Sequence, residues 1–335
     1  MREHYDDYLA PAGLVPLSKV LTTQVRWLWD GYIPLGKLTV IDGNPGTGKT
    51  AIALDLCAKV TAGRPMPDGR FPSFEGNQPV IYLSAEDGAG DTIKPRLLAA
   101  GGDDRFAFVP EPDREAPFNL DDPKEFAEWI SSADAKLAVI DPLQSFVTGK
   151  IDLYRDQDAR GLMRKLAGVA DQTGCAIIVI RHLNKANKMS AIQRGGGNMG
   201  IVGAARAAYL VERNPEERGG GVFVSTKMNL APMPRALPFR VVAQGDAACV
   251  EWGEPLDIYA DDLLQEQPRR DTELERACGF VREQLAGGPI LSAEFETRAK
   301  AAGLSESTLN RARRELGVEC HRRGNTWCVE LTTGR

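Results

Sequence analysis

Between residues 43 and 50 the chain reads GNPGTGKT. Gly43, Asn44, Pro45, Gly46, Thr47, Gly48, Lys49 and Thr50 match G-x-x-x-x-G-K-[ST], whose glycines let the backbone fold so tightly that successive N–H groups converge on phosphate oxygens. A helix opening here presents its positive N-terminal end to the same anion. Lys49 then reaches the β- and γ-phosphates, and the Thr50 hydroxyl holds Mg²⁺. The spacing calls for a nucleoside triphosphate, taken here as ATP with Mg²⁺.

Two carboxylates complete the chemistry. LAVIDPL (137–143) is an apolar run that ends in Asp141, where a water-mediated Mg²⁺ ligand is needed beside the phosphate loop. An Asp-Pro turn after a strand is the plainer alternative. VIYLSAED (80–87) begins as a buried strand and ends in Glu86 and Asp87. Carboxylates there are costly unless something needs them. Glu86 can accept a proton from, or orient, the water that attacks a γ-phosphate. Alternatively the pair favours the start of the next helix; Asp87 suits that job, which leaves Glu86 as the better base.

These groups need a sheet to bring them together. The expected strands are LTVID (38–42), VIYLSA (80–85), LAVID (137–141), AIIVIRH (176–182) and AAYLVER (207–213), followed by GVFVSTKM (221–228), FRVVAQ (239–244) and ACVEW (248–252). The first four are nearly all apolar, as strands buried on both faces of a parallel sheet read. Helices are expected over 49–62, 91–100, 123–131 and 156–173. This alternation predicts a doubly wound α/β domain with the later strands as an antiparallel extension. Residues 1–24 read as an arm, 25–256 as the ATPase domain, 257–271 as an acidic, polar linker and 272–335 as a second domain.

The phosphate loop, Glu86 at a strand tip, Asp141 and VIRHLNK (179–185) together resemble a RecA-like ATPase over roughly residues 25–255. More narrowly, YLSAEDG and VIRHLNK resemble the hexameric plasmid replicative helicase RepA and the AAA-type ATPases of phage and plasmid replication modules. The resemblance implies a P-loop NTPase core and a homo-oligomer, a hexameric ring. It makes Glu86 the catalytic carboxylate and His182 the sensor of the γ-phosphate, although a histidine that merely caps a strand end would look the same. It also implies that the loop NKANKMSAIQRGGGNMG (184–200) grips single-stranded DNA through Lys185, Lys188 and Arg194, with Lys150 and Arg155 adding to it. That composition equally suits a solvated loop. Such rings complete each site with a neighbour's cation, here Arg206 or Lys227, for either of which an ordinary surface charge is the plainer alternative. Ring helicases often carry Lys-x-Arg at the second place, whereas Lys227 is followed by Met228 and Asn229, which shifts weight to Arg206.

Residues 272–331 resemble a winged helix: three helices, then a hairpin turning at Gly324 and Asn325, with Ser292 expected to cap the second helix. Arg311, Arg313 and Arg314 on the third helix, with Arg322 and Arg323 on the wing, would meet duplex DNA; a replication protein is the alternative partner. Residues 269–335 hold 12 basic and 10 acidic residues inside a chain of net charge −5, so nucleic-acid contact must come from local patches. Across 335 residues no apolar run is long enough for a transmembrane helix, and six scattered cysteines without a CxxC pair suit reduced thiols in a cytoplasm. Neither cysteines nor the three histidines have metal-ligand spacing. The function expected is an ATP-hydrolysing motor on single-stranded DNA, a replicative helicase or translocase. The alternative is an ATP-dependent assembly switch or recombinase-like ATPase. A small-molecule phosphotransferase is disfavoured because no compact arginine cluster follows the second or third strand.

Overall fold

The computed structural model describes residues 13–111, 118–182, 199–214, 217, 219–260, 263, 272–324 and 326–331. The chain divides into two compact units, residues 1–263 and 264–335.

The larger unit opens with a short hairpin, β1 (Trp27–Trp29) and β2 (Ile33–Pro34). β3 (Leu38–Gly43) leads through the phosphate loop into α1 (Lys49–Thr61). Then come β4 (Val80–Ser84), α2 (Lys94–Ala99), β5 (Ala107–Phe108), α3 (Lys124–Ala133), β6 (Leu137–Asp141), α4 (Asp156–Thr173) and β7 (Ala176–His182). α5 (Met199–Ala204), β8 (Ala207–Arg213), β9 (Gly220–Met228), β10 (Leu237–Gln244) and β11 (Ala247–Trp252) complete it. Of the expected 91–100 helix, only 94–99 is α-helical; Ala89–Ile93 form a wider π turn. Pro95 sits in the first α turn, where its missing N–H is tolerated.

Nine strands form one sheet in the order β11-β10-β9-β8-β3-β7-β6-β4-β5. From β8 to β5 neighbours run parallel, and β9, β10 and β11 add on as antiparallel hairpins. β7 therefore lies between the phosphate-loop strand and the Asp141 strand. Successive side chains alternate between the faces of a strand. Ile41, Tyr82, Val139, Ile178 and Ile180 accordingly pack with α1 on one face, and Val40, Ile81, Ile140, Ile177 and Val179 pack with α3, α4 and α5 on the other. With both faces covered, the central strands carry no polar alternation, which is what made them readable.

The antiparallel end is pinned by stacked aromatic rings. Trp29 lies 4.2 Å from Tyr32 and 5.9 Å from Phe223, and Tyr209 lies 4.2 Å from Phe223. The buried Tyr209 hydroxyl donates to the Tyr32 carbonyl at 2.6 Å, and Trp252 Nε1 donates to Asp55 of α1 at 2.8 Å.

The smaller unit contains α6 (Thr272–Leu285), β12 (Ile290–Leu291), α7 (Ser292–Ala301), α8 (Glu306–Glu315), β13 (Val318–Arg323) and β14 (Thr326–Leu331). Its sheet runs β12-β14-β13, and Val281, Leu285, Phe295, Leu309 and Val329 form its core. Ser292 is not the cap expected: it is the first residue of α7, and its hydroxyl meets Glu296. Ser305 does cap, accepting from the Thr308 N–H that opens α8.

Phe223 is fully buried, stacked on Trp29 and Tyr209 and meeting Trp252 edge-on. Phe223→Ala is expected to lower the larger unit's unfolding free energy by about 3–5 kcal/mol. Chemical denaturation followed by tryptophan emission checks this, because Trp29 and Trp252 both lose a ring contact.

Candidate active site

β3 delivers the phosphate loop at the carboxyl edge of the sheet. Gly43 has no room for a side chain: the Val211 carbonyl of β8 occupies the space of a Cβ, with Thr47 Oγ1 also 2.8 Å from that position. Gly48 has φ +98°, and a Cβ there would meet the Phe239 ring at 2.8 Å. Packing behind the loop thus demands the same glycines that phosphate approach demands. Lys49 is 4% exposed, and its Nζ donates to the carbonyls of Gly43 and Asn44, each at 2.8 Å. Thr47 Oγ1 also donates to the Asn44 carbonyl, and Asn44 Nδ2 donates to Glu212 of β8 at 3.1 Å. The loop is therefore tied down from within and from the β8 tip.

Burial pulls the Lys49 pKa down to about 8, while the carboxylates of Asp141, Asp42, Glu86 and Glu212 act in the opposite direction. At that edge Asp141 Oδ2 accepts from Thr50 Oγ1 at 2.7 Å and from the buried Tyr82 hydroxyl at 2.7 Å. Burial raises the Asp141 pKa, opposed by those two hydrogen bonds and by Lys49. A hydroxyl and a carboxylate oxygen side by side next to the phosphate loop are hard donors of the kind Mg²⁺ takes. Thr50 and Asp141 thus fit the ion, Asp141 either directly or through one of its waters.

Glu86 lies just beyond the β4 tip with its side chain 62% exposed, and His182 Nε2 at the β7 tip stands 3.5 Å from Glu86 Oε1. Among the described residues the buried His182 Nδ1 has no partner. Asp87 faces away from this contact, its carboxylate held by Arg96 of α2 at 3.1 Å and its N–H by Ser84 Oγ.

Arg206 and Lys227 occupy the opposite edge of the sheet. The Arg206 N–H donates to the carbonyl of Leu38, the first residue of β3, and Lys227 pairs in register with Ala208. That edge is about 17 Å from Gly43 at roughly 3.3 Å per residue, so neither cation reaches the phosphate loop of its own chain. Arg206 is exposed. Lys227 Nζ donates to the carbonyls of Val202 and Gly203 at the end of α5, both at 2.9 Å. Burial and the charge of Arg206 lower its pKa.

Lys185, Lys188 and Arg194 lie outside the described residues. Lys150 is exposed, and Arg155 pairs with Asp152. In the smaller unit Arg311 and Arg314 are exposed on α8, and Arg322 and Arg323 are exposed on β13. Arg313, expected beside them, instead lies half-buried over the Phe295 ring, 5.6 Å from its centroid. Sequence reasoning passed over Tyr82, Asp42, Arg181 and Glu212. Their signal was a polar or charged residue in or at the tip of an apolar run, all four of them inside strands already identified.

A protonated Lys49 is what a phosphate attracts, so a bound triphosphate holds the proton that burial alone releases near pH 8. Nucleotide binding is therefore expected to take up at least half a proton per site at pH 8.5 and close to none at pH 6.5. Titration calorimetry in buffers of different ionisation enthalpy measures this uptake.

A family model described as an AAA domain matches residues 11–188, more than half of the chain. The DNA repair protein RadA of Listeria monocytogenes is 22% identical over 252 residues, covering 72% of this chain and 46% of that protein. RadA of Halalkalibacterium halodurans is 26% identical over 163 residues, covering 48% and 30%. The chain thus spans less than half the length of the curated relatives it matches. A KaiC-like protein of Pyrococcus horikoshii superposes with a TM-score of 0.46 at 16% identity, over 68% of this chain and 99% of that one. Among the described residues no helix is long and apolar enough to cross a membrane. With its phosphate loop on β3, Asp141 two strands away and the family match across both, the chain belongs to the AAA domain family and has a RecA-like P-loop ATPase core.

Proposed function

We propose that the chain hydrolyses ATP as a ring-forming motor on single-stranded DNA, of the kind that serves as a replicative helicase or translocase in plasmid, phage or mobile-element replication. One observation carries the reading: Glu86 and His182 meet at 3.5 Å at the sheet edge that holds Lys49, Thr50 and Asp141. The same β7 tip begins the segment holding Lys185, Lys188 and Arg194. Hydrolysis and strand contact therefore share one structural joint.

In this reading Lys49 exchanges the carbonyls of Gly43 and Asn44 for β- and γ-phosphate oxygens. Thr50 and Asp141 hold Mg²⁺, which neutralises charge on those oxygens. Glu86 takes a proton from the attacking water, and its side chain is open enough to admit one. His182 orients that carboxylate and reports its position to the loop that follows. Arg206 is exposed at the far edge, so it is the better cation to offer a neighbouring copy; Lys227 is spent on α5. The smaller unit, read as a winged helix, offers Arg311, Arg314, Arg322 and Arg323 to duplex DNA or a replication protein. The name RadA, attached to relatives that act in DNA repair, supports a DNA-linked role.

ATPase rate with and without single-stranded DNA tests the motor reading, and stimulation is expected. Hydrolysis indifferent to DNA, with assembly that still follows nucleotide, would favour the switch instead. Lys49→Ala is expected to abolish nucleotide binding or hydrolysis. Glu86→Gln should bind ATP normally and turn over roughly 100-fold more slowly or worse. For Arg206→Ala the measured hydrolysis should fall about 10³-fold with nucleotide affinity kept, and mixing with Glu86→Gln subunits should restore some sites.

A further inference from the structure

Asp42 is the last residue but one of β3, directly before Gly43 of the phosphate loop, and Arg181 precedes His182 at the tip of β7. The two are cross-strand partners, as are Gly43 and His182. Arg181 Nε donates to Asp42 Oδ1 at 2.8 Å, and a second guanidinium nitrogen donates to Oδ2 at 2.7 Å. Both side chains are only 5% exposed. Strand alternation places them on the face of Val40 and Val179, away from α1 and the phosphates.

As a stabilising device this pair is a poor choice. Burying two charges costs more than their attraction commonly returns, and apolar side chains of similar volume often serve a core as well or better. Among the described residues Arg181 Nη1 is a buried donor with no acceptor, a further penalty. What a two-bond fork supplies is fixed geometry. Here it clasps the two strand tips that matter: one carries Gly43, whose carbonyl holds Lys49, and the other carries His182, which touches Glu86.

We infer that Asp42 and Arg181 are a positioning pair for hydrolysis, holding His182, and through it Glu86, at a fixed offset from the phosphate loop. The inference rests on the reading of Glu86 as the base. Neither residue touches the phosphates, so the pair acts on turnover rather than on nucleotide affinity.

The test uses the full chain and measures kcat and KM for ATP, ADP affinity and thermal stability. Arg181→Lys keeps the charge and loses the fork. Asp42→Leu/Arg181→Met replaces the pair with apolar side chains. Both variants are expected to bind ADP within about threefold of wild type, and KM is expected to stay within the same range. In both, kcat should fall tenfold or more, since small displacements of reacting groups cost up to about 100-fold. The double variant should melt at or above the wild-type temperature and still turn over slowly, which a purely structural role does not allow. If it melts normally and turns over at the wild-type rate, the inference is overturned. Should the double variant fail to fold, Arg181→Lys decides alone: unchanged kcat, or a loss of kcat matched by an equal loss of ADP affinity, overturns it. Glu86→Gln is the reference. If it hydrolyses at the wild-type rate, the reading of Glu86 falls and takes the pair's role with it. If it is inactive while the pair variants are normal, only the pair's role falls.

Discussion

A lysine ammonium buried to 4% exposure before any phosphate arrives constrains everything around it. Such a charge costs several kcal/mol unless it is hydrogen-bonded. The loop meets this need with its own carbonyls, from Gly43 and Asn44. Those two bonds bend the backbone around the lysine into the curve a phosphate requires, so the anion-binding shape exists in advance. The carboxylates of Asp141, Glu86 and Glu212 act against that cost, together with Asp42, whose charge Arg181 already offsets.

The loop can be stiff only if something stiff stands behind it. That is the mechanical role of the antiparallel extension. Phe239 of β10 fills the space beside Gly48 and also the space beside Gly221 of β9, so one ring sets the distance between loop and sheet. Trp252 of β11 reaches across to Asp55 inside α1, fixing the helix whose first turn faces the phosphates. The aromatic stack from Trp29 through Phe223 to Tyr209 then holds these added strands to the parallel sheet. Buried rings are well suited to the task, because they cover large area with few rotatable bonds.

The parallel strands were legible because burial on both faces removes polar alternation; LTVID, VIYLS and LAVID leave little else to be. The Gly-rich loop was legible because its constraints are local in sequence. The β1–β2 hairpin was passed over: its strands are only three and two residues long, although Asp30-Gly31 in WLWDGYIP is a turn signal. Asp42 and Arg181 escaped for a different reason. Each could be seen as a charge inside an apolar strand, but their pairing depends on β3 and β7 being neighbours, and strand order is not written in either segment. The choice between Arg206 and Lys227 was likewise undecidable from spacing. Lys227 is claimed by the free carbonyls that end α5, a feature of helix termini in general that needs the fold to bring it within reach. Arg313 looked like its neighbours Arg311 and Arg314, but helical periodicity turns it toward Phe295.

The sheet has two chemically different edges, and β8 connects them. At one end Ala207 follows the exposed Arg206; at the other Glu212 holds Asn44 of the phosphate loop. Seven residues of strand, hydrogen-bonded by parallel β3 on one side and antiparallel β9 on the other, leave little freedom between those ends. In a ring where Arg206 of one copy faces the triphosphate of the next, a shift of that cation would be delivered along β8 to the phosphate loop of its own copy. Under the proposed ring assembly, strand rigidity and the position of β8 beside β3 would couple neighbouring sites without a separate transmitting element. That coupling would depend on the proposed role of Arg206 at the far edge, since a cation near its own phosphates could complete a site without any neighbour.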